Sequence, residues 1–115
     1  MAQQLILILV ALSFNVVDLI TGFISALYNK DIQSSRLRDG LFKKVGFILC
    51  YLLAFMVDIE GKLIGLDLGV DILPGIITVA VLTEISSVIE NICKINSDFL
   101  PDKLKDLFHM TKEGD

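Results

Sequence analysis

The run from Leu5 to Tyr28, LILILVALSFNVVDLITGFISALY, carries no lysine, no arginine and a single acid over twenty-four residues. As a helix it is roughly 36 Å long, enough to cross a hydrocarbon core of about 30 Å with some tilt. A segment of that length and polarity limits the chain to architectures whose backbone satisfies its own hydrogen bonds, and for one continuous run that means a helix. The N-terminus has no basic stretch ahead of the apolar run and no clean small-residue cleavage site, so a retained span is expected rather than a cleaved signal.

Two further apolar segments follow. VGFILCYLLAFMV, starting at Val45, reaches only Asp58 before a charge intervenes. It spans only if Lys43 and Lys44 snorkel at one end and the helix runs on towards Leu66; a re-entrant segment is the alternative. ILPGIITVAVLTEISSVIENI, residues 72–92, has span length, and Pro74 suits a first helical turn. Residues 98–110 change character. Leu100, Leu104, Leu107 and Phe108 form one apolar stripe, and lysines and aspartates fill the other face. That pattern predicts a short amphipathic helix against the membrane surface or a partner.

Composition agrees. Apolar residues make up 54% of the 115 and charged residues 21%, against about 25% charged in an average soluble domain. The expected fold is an all-α membrane protein, one domain over residues 1–115. It has three spans at about 5–28, 44–66 and 72–92 and an amphipathic tail at 98–110. The formal net charge of −4 argues against a nucleic-acid partner. Cys50 and Cys93 both lie in apolar segments and read as small buried hydrophobes. With His109 the single histidine, no cluster of histidine metal ligands can form within one chain. No phosphate loop or nucleophile motif is present.

The connectors differ in charge. Residues 29–44 hold Lys30, Arg36, Arg38, Lys43 and Lys44 against Asp31 and Asp39, a net of +3. Residues 58–71 hold Asp58, Glu60, Asp67 and Asp71 against Lys62, a net of −3. The basic connector belongs on the cytoplasmic side, which places the N-terminus outside and the C-terminus inside. Lys43 and Lys44 are expected as interface anchors. The glycines at 61, 65 and 69 read as a flexible loop, and the acids around them as a solvated turn rather than a calcium loop.

The spans themselves are not uniformly apolar. Ala11, Asn15, Asp18, Gly22 and Ser25 recur at alternating steps of four and three and so share one helix face. Thr83, Ser87 and Asn91, with the adjacent Glu84, repeat the idea in the third span. A carboxylate in mid-span costs about 2.5–3.5 kcal/mol on insertion scales, so it pairs or meets water. Three readings are open. The polar residues glue helices within one compact chain; they form a fixed ion or proton site; or the faces meet across subunits and line a wet hole once enough copies gather. The last is preferred. Asn15, Asp18, Thr21, Gly22 and Ser25, with Glu84, Ser87 and Asn91, are then the pore-lining or oligomer face.

Read in order, Asp18-x-x-Thr21-Gly22-x-x-x-Ala26, Lys30, Ser34-Ser35, Gly40, Lys43-Lys44-Val45, Asp58 and TEISSVIENICK closely resemble the phage holin family, which includes the clostridial toxin-secretion holins. The stretch EISSVIEN supplies Glu84, Ser87, Ile89, Glu90 and Asn91 of that pattern, and the resemblance extends over about residues 14–110. It implies a small protein of the bacterial cytoplasmic membrane. Such a protein accumulates, then assembles into homo-oligomeric lesions that let an endolysin or a toxin cross. Endolysin or toxin is cargo, and no cofactor, metal or nucleic acid is implied. The rival from another class is a non-pore adaptor that docks a partner through its amphipathic tail.

Overall fold

The computed structural model describes residues 1–96; the expected amphipathic segment at 98–110 lies outside them. Three helices dominate: α1, Ala2–Tyr28; α2, Ser34–Phe55; and α3, Leu73–Ile95. α2 does not stop at Phe55. It passes through a π-turn, Met56–Glu60, and a 3-10 turn, Gly61–Ile64, so the helical rod covers Ser34–Ile64. All three rods are long and apolar enough to cross a membrane.

The helices meet along seams spaced three or four residues apart. On α1 the seam is Leu7, Ala11, Asn15, Asp18, Gly22 and Ser25. On α2 it is Leu37, Gly40, Lys44, Phe47, Tyr51, Ala54 and Asp58, and on α3 it is Leu73, Ile77, Ala80, Glu84, Ser87 and Asn91. Every one of these is buried or half-buried. That spacing keeps one narrow stripe facing a partner helix, and its small residues allow close approach. Between the stripes, Leu9, Val16, Ile20, Leu49, Leu53 and Leu82 are all more than 40% exposed, as lipid-facing side chains are. Asn15 contacts Glu84 while Asp18 contacts Asn91, so α1 and α3 run parallel. Asn15 contacts Tyr51 while Asp18 contacts Lys44, so α2 runs antiparallel to α1.

The connectors depart from expectation. The basic segment 29–44 is mostly helix: only Asn29–Gln33 separate α1 from α2, and α2 starts ten residues before the expected start of the second span. Polar side chains alone do not end a helix when no proline follows and one face can pack. α1 closes with the Lys30 N–H on the Leu27 carbonyl and the Asp31 N–H on the Ala26 carbonyl, a Schellman closure. It puts Lys30 at φ 55°.

At the other end the Gly65 N–H bonds the Lys62 carbonyl and the Leu66 N–H bonds the Gly61 carbonyl, the same closure with Gly65 at φ 82°. What reads as a flexible glycine loop therefore begins as an ordered helix stop. Asp58 is not in a solvated turn. It is 4% exposed and accepts the backbone N–H groups of Ile72 at 2.9 Å and Leu73 at 2.8 Å. It caps α3 from another element, a role usually filled by the residue just before the helix. Pro74 sits in α3's first turn as expected.

Candidate functional site

The polar residues of the three seams converge at one level. Asp18 lies ten residues before the end of α1 and Lys44 ten after the start of α2, each roughly 15 Å from its helix end. Lys44 Nζ donates to Asp18 Oδ2 at 2.6 Å and to Glu84 Oε2 at 2.7 Å. Asn15 Nδ2 donates to the same Glu84 oxygen at 2.9 Å, and Tyr51 Oη donates to Asn15 Oδ1 at 3.0 Å. On the other flank Asn91 Nδ2 donates to Asp18 Oδ1 and to Thr21 Oγ1, both at 3.0 Å. An unbroken path of side chains, Tyr51–Asn15–Glu84–Lys44–Asp18–Asn91–Thr21, thus ties all three helices together.

Burial explains why the path must be complete. Asn15 is 3% exposed and Glu84 2%, and the Lys44 and Asp18 side chains retain 12% each. A buried ion without its partner costs several kcal/mol, and an unmet buried amide or hydroxyl about 1–3 kcal/mol. The hydroxyl of Thr21 also bonds the Val17 carbonyl at 2.9 Å, so it serves both its own helix and Asn91. Gly22 faces α3, and a Cβ there would lie 3.5 Å from Asn91 Nδ2, in ordinary contact. Ser25 is buried and its carbonyl and hydroxyl accept from Asn29 Nδ2. Ser87 and Asn91 line a cavity beside this network.

Of the sequence-predicted residues, Asn15, Asp18, Thr21, Glu84 and Asn91 come together in this network. Gly22, Ser25 and Ser87 border it on the same faces. Thr83 does not; its hydroxyl bonds the Val79 carbonyl of its own helix. Lys44 corrects the expectation for its pair. Lys43 is exposed, as an interface anchor would be, whereas Lys44 is turned inward and holds two carboxylates. Lys44 thus lies inside the bundle, its ammonium on one carboxylate of α1 and one of α3. Tyr51 and Asp58 carry no sequence-level expectation as network or capping residues. The signal that reaches Lys44, Tyr51 and Asp58 is the three-four spacing of α2. It becomes visible only when the stripe is counted through the basic segment instead of starting after it. Cys50 also differs: it is exposed, and Cys93 half-buried, both as free thiols. Among the described residues no three His, Cys, Asp or Glu side chains gather in a way that could hold a metal ion.

Fold and network together define a multi-pass, helical membrane protein whose Asp18, Lys44 and Glu84 side chains are turned inward and paired. The family model of the bacteriophage holin family matches residues 2–113. The chain belongs to that family. It matches no curated protein and no solved structure.

Proposed function

We propose that this holin assembles as a homo-oligomer in the bacterial cytoplasmic membrane and opens lesions through which endolysin, or a toxin, leaves the cell. The basic end of α2 then faces the cytoplasm, with the N-terminus outside and the C-terminus inside. The observation that carries the reading is the inward ion-paired face spanning α1, α2 and α3 beneath an apolar exterior.

The physics of that face supports a concentration-dependent trigger. A single chain cannot turn Asp18, Lys44 or Glu84 towards lipid, since each charge at mid-membrane costs about 2.5–3.5 kcal/mol or more. It can turn them towards water. A water-filled lumen needs many chains to open the same face together. Below that number the network stays closed and the protein accumulates harmlessly; above it the shared lumen replaces the internal partners. Asn15, Asp18, Thr21, Gly22 and Ser25, with Glu84, Ser87 and Asn91, would then line the lumen or the subunit contacts. Lys44 joins them.

Induced expression in a bacterium tests this, with growth and a potential-sensitive dye followed together. The wild type should grow normally, then lose its membrane potential abruptly. Steady growth with an intact potential would favour the adaptor reading. Asp18→Leu should shift the time of collapse or abolish it; collapse on the wild-type schedule would sink the lining role. A second readout uses a chain whose Cys50 and Cys93 are replaced and Ser87 is changed to cysteine. A membrane-impermeant thiol reagent should label it only after collapse.

A further inference from the structure

At the end of the bundle nearest the Asn29–Gln33 turn, a cavity of about 410 Å³ opens between α1, α2 and α3. Four cationic side chains (Arg36, Lys43, Lys44 and Lys94) and two anionic ones (Asp18 and Asp31) line it, and Glu84 and Glu90 stand against Lys44 and Lys94. They are not equally committed. Lys44 is held by Asp18 and Glu84, and Arg36 pairs with Asp31 at 3.0 Å. Lys94 reaches Glu90 only at 3.6 Å on the exposed surface. Lys43 makes no ion pair or hydrogen bond among the described residues. The start of α2 adds to the positive field: no side chain caps it, and the first-turn N–H groups of a helix attract anions.

Beside the cavity runs a groove of about 380 Å³ walled by Leu19, Ile20, Phe23 and Ile24 of α1 and by Leu37 and Leu41 of α2. Leu19 and Leu37 line both spaces, so the basic cavity and the apolar groove adjoin across these two side chains. Ile20, Phe23, Ile24 and Leu41 are 44–51% exposed, which leaves the groove open to the lipid side.

We infer that this seam binds one anionic phospholipid, with its phosphate in the basic cavity and an acyl chain in the groove between α1 and α2. A soluble phosphate would use the cavity and leave the groove unexplained. A zwitterionic lipid would fill the groove without bringing a net negative charge to Lys43 and the uncapped start of α2. Basic recesses between membrane helices on the cytoplasmic side recognise anionic headgroups in this way. The leaflet follows from the orientation proposed above, but the site does not depend on pore formation. A lipid wedged there bridges α1 and α2 directly beside the Lys44–Asp18 pair and so favours the closed bundle.

Native mass spectrometry of the detergent-solubilised full chain tests the site, with phosphatidylglycerol and phosphatidylcholine offered at equal concentration. The chain should retain phosphatidylglycerol. Lys43→Gln and Lys94→Gln remove exposed charges and leave the packing intact; each should lower retention about fivefold. Lys62→Gln, which removes the same charge at the opposite end, should leave it unchanged. Inorganic phosphate at the same concentration should not displace the lipid. Equal retention of phosphatidylcholine overturns the inference, as does a Lys62→Gln loss matching that of Lys43→Gln. Displacement by inorganic phosphate reassigns the cavity to a soluble anion and overturns the lipid site. Lysis is not read in this experiment, so its outcome is separate from that of the pore.

Discussion

Towards the 61–71 connector the core is Ala11, Tyr51, Ala54, Leu73, Ile77 and Ala80; towards the short 29–33 turn it is Asn15, Asp18, Lys44, Glu84 and Asn91. The same seams run through both halves, yet they are held by different physics. The apolar half depends on shape. In a membrane, lipid tails are as apolar as the core, so helices associate there through close contact of small residues such as Ala11, Ala54 and Ala80. The polar half depends on partners. Its contribution exists only while every donor and acceptor is matched, and one missing member leaves the rest unmet. A core built this way has a half that tolerates no single loss, beside a half that holds the helices in register.

The sharpest way to break the contrast is Lys44→Met. It leaves Asp18 and Glu84 close together with no cation, and should cost about 3–5 kcal/mol, read as a large drop in the thermal midpoint of the solubilised protein. A variant melting within a degree of wild type would refute the network's role. Replacing the set together, as Asp18→Leu, Lys44→Met and Glu84→Met, should restore most of that stability, since well-packed apolar residues replace buried ion networks at little cost. The same triple variant should fail to collapse the membrane potential. If it still lyses cells on time, the charged face has no part in opening.

On the apolar side, Ala54→Leu should cost about 1–3 kcal/mol by overpacking a fully buried position. Tyr51→Phe straddles the halves. It removes the hydroxyl that donates to Asn15 Oδ1 and should cost about 1 kcal/mol. At the low end, Leu9→Ala on the exposed face of α1, where Leu9 is 64% exposed, should stay within about 0.5 kcal/mol. A larger effect at Leu9 would mean that this face contacts another chain rather than lipid.

Much of this was legible before any coordinates. The run at 5–28 required a helix, and Asn15, Asp18, Gly22 and Ser25 declared one face by spacing alone. The acid, serine and asparagine of EISSVIEN marked the matching face of α3. Other features were not legible. Lys44 beside Lys43 resembles a membrane boundary, because adjacent lysines in sequence point to different sides of a helix and only one can be an anchor. Asp58 resembles the first acid of a solvated loop, because its partners, the Ile72 and Leu73 N–H groups, lie on the far side of a turn whose path sequence does not give.

Sequence by itself determined that the first and third segments are long apolar helices and that each carries one polar or small-residue stripe, because hydrophobic length and the three-four spacing are local properties of the chain; the full length of the second helix and its stripe came only with the fold. Only the tertiary structure decided what those stripes meet. The feature that stood out in the first span, an amide and a carboxylate among hydrocarbon, finds its partners in the chain's own Tyr51, Glu84, Lys44 and Asn91. Coulomb and hydrogen-bond energies depend on distances between residues far apart in sequence, and those distances come from packing.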